Sequence, residues 1–175
     1  GDGLYDGVEL WKSDGTEAGT VMIKDINNNA NGSSNPQHLT VFNNELYFRA
    51  DDGTHGRELW VTDGTTIGTH IVQDIFAHNS IDANSVLVPF MQGVVFTTSS
   101  NTIHWANSSD IVELSQIPTF DNATQSILSS SLSALSANAF SILDSDADNV
   151  WFNAKDSNGD LEPYQLSTSG LLTAY

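Results

Sequence analysis

The chain has 175 residues, of which 22 are acidic and only 5 are Lys or Arg, so its formal net charge is −17. A surface this negative repels phosphate backbones and anionic lipid headgroups, which excludes nucleic acid as an expected partner. There is no cysteine, which rules out disulfide scaffolds, thiolate nucleophiles and cysteine-ligated zinc. No apolar run reaches the roughly 18 to 20 residues that a spanning helix needs, so we expect no membrane insertion.

The polar composition favours β-structure. Charged residues make up 15% of the chain, against about 25% in ordinary soluble domains, and Ser, Thr and Asn supply the missing polarity. Long solvent-facing helices normally recruit Glu, Lys and Arg, whereas this composition suits strands and turns. The length predicts one domain.

An internal repeat of 49 residues organises the chain. Residues 9–26 recur as residues 58–75 with ten of 18 positions identical, where chance gives about one or two. Two fainter copies follow: residues 93–97 echo 45–49, with Trp105 in the place of Trp60, and residues 150–154 echo 46–50, with Glu162-Pro163-Tyr164 in the place of Glu58-Leu59-Trp60. We therefore divide a single repeat region, residues 1–175, into units 1–37, 38–84, 85–137 and 138–175, with an irregular insertion at 116–137.

The best-defined unit predicts four short antiparallel strands at residues 38–43, 45–50, 57–62 and 69–75. Four strands in about 49 residues match one blade of a β-propeller. The expected fold is an all-β, propeller-like array of about three and a half four-stranded blades. Because the first copy opens on the third strand of a unit, we expect the chain to be part of a larger propeller or assembly.

Four regularly spaced tryptophans are predicted to fill the spaces between stacked blades. Their alternative role is a platform for stacking sugars. They are Trp11, Trp60, Trp105 and Trp151.

The repeated Asp-Gly-Thr string predicts a locked turn. Gly15 and Gly64 can adopt positive φ at low cost, and the carboxylates of Asp14 and Asp63 can accept hydrogen bonds from amides two residues on. The string is completed by Thr16 and Thr65.

On these residues the chain resembles the bacterial ELWxxDGT repeat proteins, whose name matches Glu9 to Thr16 and Glu58 to Thr65. The match covers residues 1–98 strongly and the remainder weakly, since the stretch from Ile103 lacks Asp-Gly and the stretch from Glu162 keeps only its first residue. The resemblance implies a large exported or surface-attached bacterial protein built from propeller-like repeats, mostly without assigned activity.

Two segments leave alternatives open. Asp144, Asp146 and Asp148 present carboxylates at alternate positions, which suits either a loose Ca²⁺ site or a polar hairpin turn; Asn149 and Lys155 exclude an EF-hand loop. The Ser-rich residues 123–137 form either a short helix or an irregular insertion.

Two functions follow. The first is a non-catalytic structural or adhesive module of an extracellular or cell-surface bacterial protein, which contacts protein partners or assembles with itself. The second is a carbohydrate-binding or glycan-degrading propeller, in which exposed aromatic rings and paired carboxylates meet.

Overall fold

The computed structural model describes residues 7–74, 81, 85–100, 102–116, 120–126, 132, 136–155 and 158–175. Contacts group the chain into two compact units, residues 1–80 and 81–175. Within the described residues the regular structure is almost entirely antiparallel sheet, and no helix there has the length and apolar character to cross a bilayer.

The first unit contains a two-stranded and a four-stranded sheet. The first sheet pairs β1 with β2, and the second sheet runs β3-β4-β5-β6 in chain order. The strands are β1 (Leu10–Lys12), β2 (Val21–Lys24), β3 (Gln37–Phe42), β4 (Glu45–Asp51), β5 (Arg57–Thr62) and β6 (His70–Ile71).

The second unit contains two further four-stranded sheets, again with neighbours in chain order. The strands of the third sheet are β7 (Val88–Phe90), β8 (Gly93–Thr97), β9 (Ile103–Ala106) and β10 (Ile111–Glu113). The strands of the fourth sheet are β11 (Ser136–Ser145), β12 (Asn149–Lys155), β13 (Leu161–Ser167) and β14 (Leu172–Ala174).

Turn chemistry explains the tight β3–β4 hairpin. Asn43 and Asn44 both have positive φ, 50° and 67°, which Asn tolerates better than most residues and which matches the twist of paired strands.

The prediction of an all-β chain of four-stranded antiparallel sheets is confirmed for the second, third and fourth sheets. The arrangement of the sheets as propeller blades stays a prediction, as does the single repeat region.

Each unit has a core between its two sheets. In the first unit, Phe48 and Trp60 of the second sheet are buried with Leu10 and Ile23 from the first sheet and with Ile26, which follows β2. In the second unit, the buried cluster joins the third and fourth sheets; it includes Val95, Ile103, Trp105, Phe152, Tyr164 and Leu166. Burying an aromatic or aliphatic side chain of this size contributes about 1.5 to 3 kcal/mol.

The register corrects one alignment made from the sequence. Phe48 lies opposite Trp60 and Phe152 lies opposite Tyr164, but the residue opposite Phe96 is His104, whose ring stacks on it at 5.9 Å. His104 therefore occupies the place of Trp60. Trp105 is one residue further along and lies on the other face of its sheet, because successive side chains in a strand alternate.

Helical structure is sparse among the described residues. A 3₁₀ turn covers Leu114–Gln116, and residues 122–126 are helical, with the Asp121 carboxylate accepting the Thr124 amide at 2.7 Å as an N-terminal cap. Of the two alternatives predicted for residues 123–137, a helix is the one observed at the start of the segment. Residues 127–131 and 133–135 lie outside the described part.

Candidate functional site: the repeated acidic motifs

The two Asp-Gly-Thr loops are the most strongly repeated polar feature. The first loop connects β1 to β2, and the second connects β5 to β6, which are the corresponding strands of the next copy. In the first loop, Asp14 Oδ1 accepts the Thr16 amide at 2.9 Å and the Thr16 hydroxyl at 2.7 Å. The Thr16 hydroxyl oxygen then accepts the Gly19 amide at 2.9 Å, and the Thr20 hydroxyl donates to the Thr16 carbonyl at 2.7 Å. One carboxylate thereby starts a chain of hydrogen bonds that spans the loop.

The second loop repeats this chain atom for atom. Asp63 Oδ1 accepts the Thr65 amide at 2.8 Å and hydroxyl at 2.7 Å, and the Thr65 hydroxyl accepts the Gly68 amide at 2.9 Å. The Thr69 hydroxyl donates to the Thr65 carbonyl at 2.6 Å. Ten identical residues in the two stretches therefore produce one loop conformation twice.

Glycine is required at two places in each loop for different reasons. Gly15 and Gly64 have φ of 90° and 87°, a region that side chains other than glycine rarely adopt. Gly19 and Gly68 instead face the Asp carboxylate: a Cβ atom would lie 1.9 Å from Asp14 Oδ1 and 2.1 Å from Asp63 Oδ1. The spacing Asp-Gly-Thr-x-x-Gly-Thr is thus set by this packing.

The same hydrogen bonds shift the acidity of both carboxylates. The Thr16 hydroxyl, and after it the Thr16 amide, lower the pKa of Asp14 from its ordinary value of 3.8. The Thr65 hydroxyl and amide lower the pKa of Asp63 in the same way. Donors to the charged form favour it, so both side chains are held as carboxylates, which suits acceptors of hydrogen bonds.

Glu9 supplies a second repeated carboxylate, and this one is buried. Its Oε1 accepts the Ser34 amide at 2.9 Å, while Oε2 accepts the Ile26 amide at 3.1 Å and the Ser34 hydroxyl at 2.5 Å. Ser34 in turn accepts the Asp51 amide on its carbonyl at 3.0 Å. The Glu of the first copy therefore ties its own strand to the connection that leads into the next sheet.

Two lysines join the second Asp-Gly-Thr loop to the first sheet. Lys12 Nζ donates to the Gly64 carbonyl and Lys24 Nζ to the Thr69 carbonyl, each at 2.7 Å. The Lys24 ammonium also lies 5.8 Å from the centre of the Trp60 ring, within reach of a cation–π interaction. Two of the five basic residues of the chain thus hold neighbouring repeats together.

A histidine–carboxylate pair lies in the turn between β4 and β5. His55 Nδ1 is 2.7 Å from Asp52 Oδ2, and this hydrogen bond raises the pKa of His55. Burial raises the pKa of Asp52, but the bonds from His55 and Thr54 outweigh it and leave that pKa lowered. Because Asp52 also accepts the Thr54 and His55 amides, the pair is part of the turn itself.

Two of the three carboxylates proposed to bind Ca²⁺ accept hydrogen bonds from backbone amides of their own turn. Asp146 Oδ1 accepts the amides of Asp148 and Asn149, both at 2.8 Å, and Asp144 Oδ1 accepts the Ser145 amide at 2.8 Å. Among the described residues no group of three His, Asp or Glu side chains converges as metal ligands would. The polar hairpin turn is the arrangement observed, and Ca²⁺ binding at Asp144, Asp146 and Asp148 stays a prediction.

The four tryptophans fall into different environments. Trp60 and Trp105 are 5% and 3% exposed, each within a core between two sheets, and the Trp105 indole N–H donates to the Phe90 carbonyl at 3.0 Å. Trp151 differs from its predicted core position: it is half-buried and lies on the face of β12 opposite to the buried Phe152. Trp11 differs from the predicted core position: it is 54% exposed, because no residue of the described chain covers its side of the first sheet as Leu10 and Ile23 cover Trp60.

No family model matches the chain, and the searches of curated proteins and of solved structures also give no match.

Sequence reasoning missed Glu9, Lys12 and Lys24 as structural residues. The recurrence of Glu9 as Glu58 was the available signal for the first, since a charged residue repeated inside a strand is rarely left without a partner when buried. Lys12 and Lys24 gave no such signal, because Val61 and Gln73 stand at their places in the second copy.

Proposed function

We propose that the chain is a non-catalytic structural or adhesive module of an exported bacterial surface protein, in which repeated sheets form a stable acidic platform for protein contacts. The observation that carries the proposal is the use of the repeated carboxylates. Asp14, Asp63 and Glu9 each accept two or three hydrogen bonds from groups of their own chain. The repeat therefore preserves, at Asp14 and Asp63, chemistry that closes turns, and Glu9 adds bonds that join the first sheet to the connection that follows it.

The setting outside the cell comes from the resemblance to ELWxxDGT repeat proteins. Two properties of the chain are compatible with it. Absence of cysteine removes any dependence on a redox compartment, and a net charge of −17 favours solubility at high local concentration. Protease treatment of intact producing cells tests the location, since a surface protein is cleaved while cytoplasmic markers survive.

The test of the non-catalytic role combines stability with a search for turnover. Asp63→Ala should lower the free energy of unfolding and shorten the lifetime of the chain in a broad-specificity protease. Glu17→Ala, an exposed carboxylate of the first loop that accepts none of the loop's hydrogen bonds described above, is the acidic control. The chain should turn over no chromogenic glycoside or peptide substrate. Turnover that disappears when one acidic residue is replaced, with the fold intact, would overturn the proposal.

Carbohydrate binding is the second candidate, and the exposed ring of Trp11 is the observation that favours it. Trp105 cannot serve as a sugar platform, since it is buried. A glycan array distinguishes the two functions. Sugar binding that is lost in Trp11→Ala or Trp151→Ala, but kept in Val41→Ala, would favour the carbohydrate-binding function.

A further inference from the structure

The contact between neighbouring sheets has the same direction in both units. In the first unit, the aromatic pair Phe48 and Trp60 of the later sheet packs on Leu10 and Ile23 of the earlier one. In the second unit, Phe152 and Tyr164 of the later sheet stack on each other and lie in one buried cluster with Trp105 of the earlier sheet. Within each unit the later sheet therefore has an aromatic face, which packs on the earlier sheet, and the earlier sheet has an opposite face, which receives it.

The aromatic face of the first sheet is open. Trp11 pairs with Met22 across the β1–β2 ladder, as Trp60 pairs with Ile71 49 residues later. Whereas Trp60 is covered by Leu10 and Ile23, Trp11 is 54% exposed. The interface inside the first unit thus shows which kind of surface fits Trp11: a sheet with two apolar side chains at the positions of Leu10 and Ile23.

The fourth sheet carries such a surface on the face that points away from its core. Pro163 stands at the place of Leu10, since Glu162-Pro163-Tyr164 aligns with Glu9-Leu10-Trp11. Tyr175 stands at the place of Ile23: its amide donates to the Pro163 carbonyl at 3.0 Å, as the amide of Val72, 49 residues after Ile23, donates to Leu59 at 2.9 Å. Tyr175 is 67% exposed.

This outer face is free of negative charge in its central and last strands. The residues of β12, β13 and β14 that point away from the core are Asn149, Trp151, Asn153, Lys155, Leu161, Pro163, Gln165, Ser167 and Thr173. They contain one basic residue and no carboxylate, in a chain with 22 acidic residues. Asp144 of β11 pairs with Trp151 and is a carboxylate on this face, but it lies on the edge strand two strands away from Pro163. An acidic partner therefore meets no carboxylate side chain of this face around Pro163 and Tyr175, in keeping with the depletion of charged residues at interface centres.

We propose that the Trp11 face of one copy binds the outer face of the fourth sheet in a second copy, with Trp11 packed on Pro163 and Tyr175. The proposal rests on the structural-module function and names its partner as the chain itself. Because two different surfaces meet, the contact is heterologous and adds copies in a ring or a linear series.

Sedimentation velocity of the full chain over a range of concentrations tests the proposal. The mass should rise with concentration, and Trp11→Glu or Tyr175→Glu should each weaken association by roughly tenfold or more, as expected for loss of an aromatic anchor. Val41→Glu, an exposed apolar residue on β3, is the matched control and should leave association unchanged.

Mixing the two interface variants tests the pairing of faces. Trp11→Glu keeps the outer face of the fourth sheet and Tyr175→Glu keeps Trp11, so the mixture should form dimers and nothing larger. A wild-type chain that stays monomeric at every concentration, or variants that fail to pair when mixed, would overturn the proposal. If the chain is folded, monomeric and without turnover, the self-association proposal fails and the proposed structural function stands. If the chain associates but turns over a substrate, the proposed function fails and self-association stands.

Discussion

Residues 9–26 and 58–75 share ten of 18 residues, yet they agree in one respect and differ in another. Their Asp-Gly-Thr loops have the same hydrogen bonds at nearly the same distances. Their tryptophans differ, since Trp60 is buried and Trp11 is exposed. A loop closed by its own side chains is determined locally, whereas burial of a strand residue depends on which sheet lies beside it.

The second unit shows that the loop's chemistry can be met by other residues. With His104 in the place of Trp60, Asn107 stands where Asp63 does, and its Oδ1 accepts the amides of Ser109 and Asp110 at 2.8 and 2.9 Å. In the fourth sheet Ser167 takes this role and accepts the Leu171 amide at 3.1 Å. In the third and fourth sheets a side-chain oxygen after the third strand therefore still accepts backbone amides, although the Asp-Gly-Thr string is absent.

The largest expected effect separates the two tryptophans. Trp60→Ala should lower the free energy of unfolding by about 3 to 5 kcal/mol, because it leaves a cavity between two sheets. Trp11→Ala should change it by less than about 0.5 kcal/mol, as for most exposed sites. Urea unfolding at low protein concentration measures both. Equal losses in the two variants would mean that Trp11 is also covered within a single chain.

Glu9→Gln should come next, with a loss of about 1 to 3 kcal/mol. The Gln amide group has only one acceptor oxygen, so either the Ile26 or the Ser34 amide would face an N–H group and lose its partner in a buried site. Glu17→Gln, in the exposed loop, is the control with the same change of charge. If both variants unfold at the same urea concentration, the Glu9 carboxylate contributes nothing through these bonds.

A smaller effect is expected at Gly68. Gly68→Ala should cost about 1 kcal/mol, the low end for overpacking, because the atom displaced belongs to an exposed side chain. In an Asp63→Ala background the added methyl group no longer meets the carboxylate, so the same change should then cost less. An unchanged cost would show that the Asp63 carboxylate is not what requires glycine there.

The sequence predicted the strands of the second sheet closely. It gave 38–43, 45–50 and 57–62 where β3, β4 and β5 lie, because alternating β-rich runs are separated there by strong turn residues. The fourth strand, predicted at 69–75, is described only as His70–Ile71. The turn at Asp63-Gly64 was equally accessible, since its hydrogen bonds lie within seven residues.

Features that depend on distant residues were not predictable in this way. The sequence alignment of the third sheet was wrong by one residue, because Trp105 resembles Trp60 more than His104 does. Only the pairing of His104 with Phe96 shows that His104 is the residue that corresponds to Trp60. The role of Glu9 depends on Ser34, 25 residues away. Exposure of Trp11 follows from what lies beside its sheet, which the repeat unit does not encode.

Acid should weaken both Asp-Gly-Thr loops together. Because the folded pKa values of Asp14 and Asp63 lie below the ordinary 3.8, their contribution to stability is fully present above that pH and is lost as the pH falls through the lowered values. Asn107 does not titrate, so the corresponding turn of the third sheet should keep its bonds in acid.

NMR titration of the backbone amides tests most directly the central claim that the two motif copies build one loop with the same carboxylate chemistry. The Thr16 and Thr65 amide signals should shift together with midpoints below pH 3.8, while the Ser109 amide, held by Asn107, should show no such transition. Midpoints at or above 3.8, or a transition at only one of the two threonines, would contradict the account.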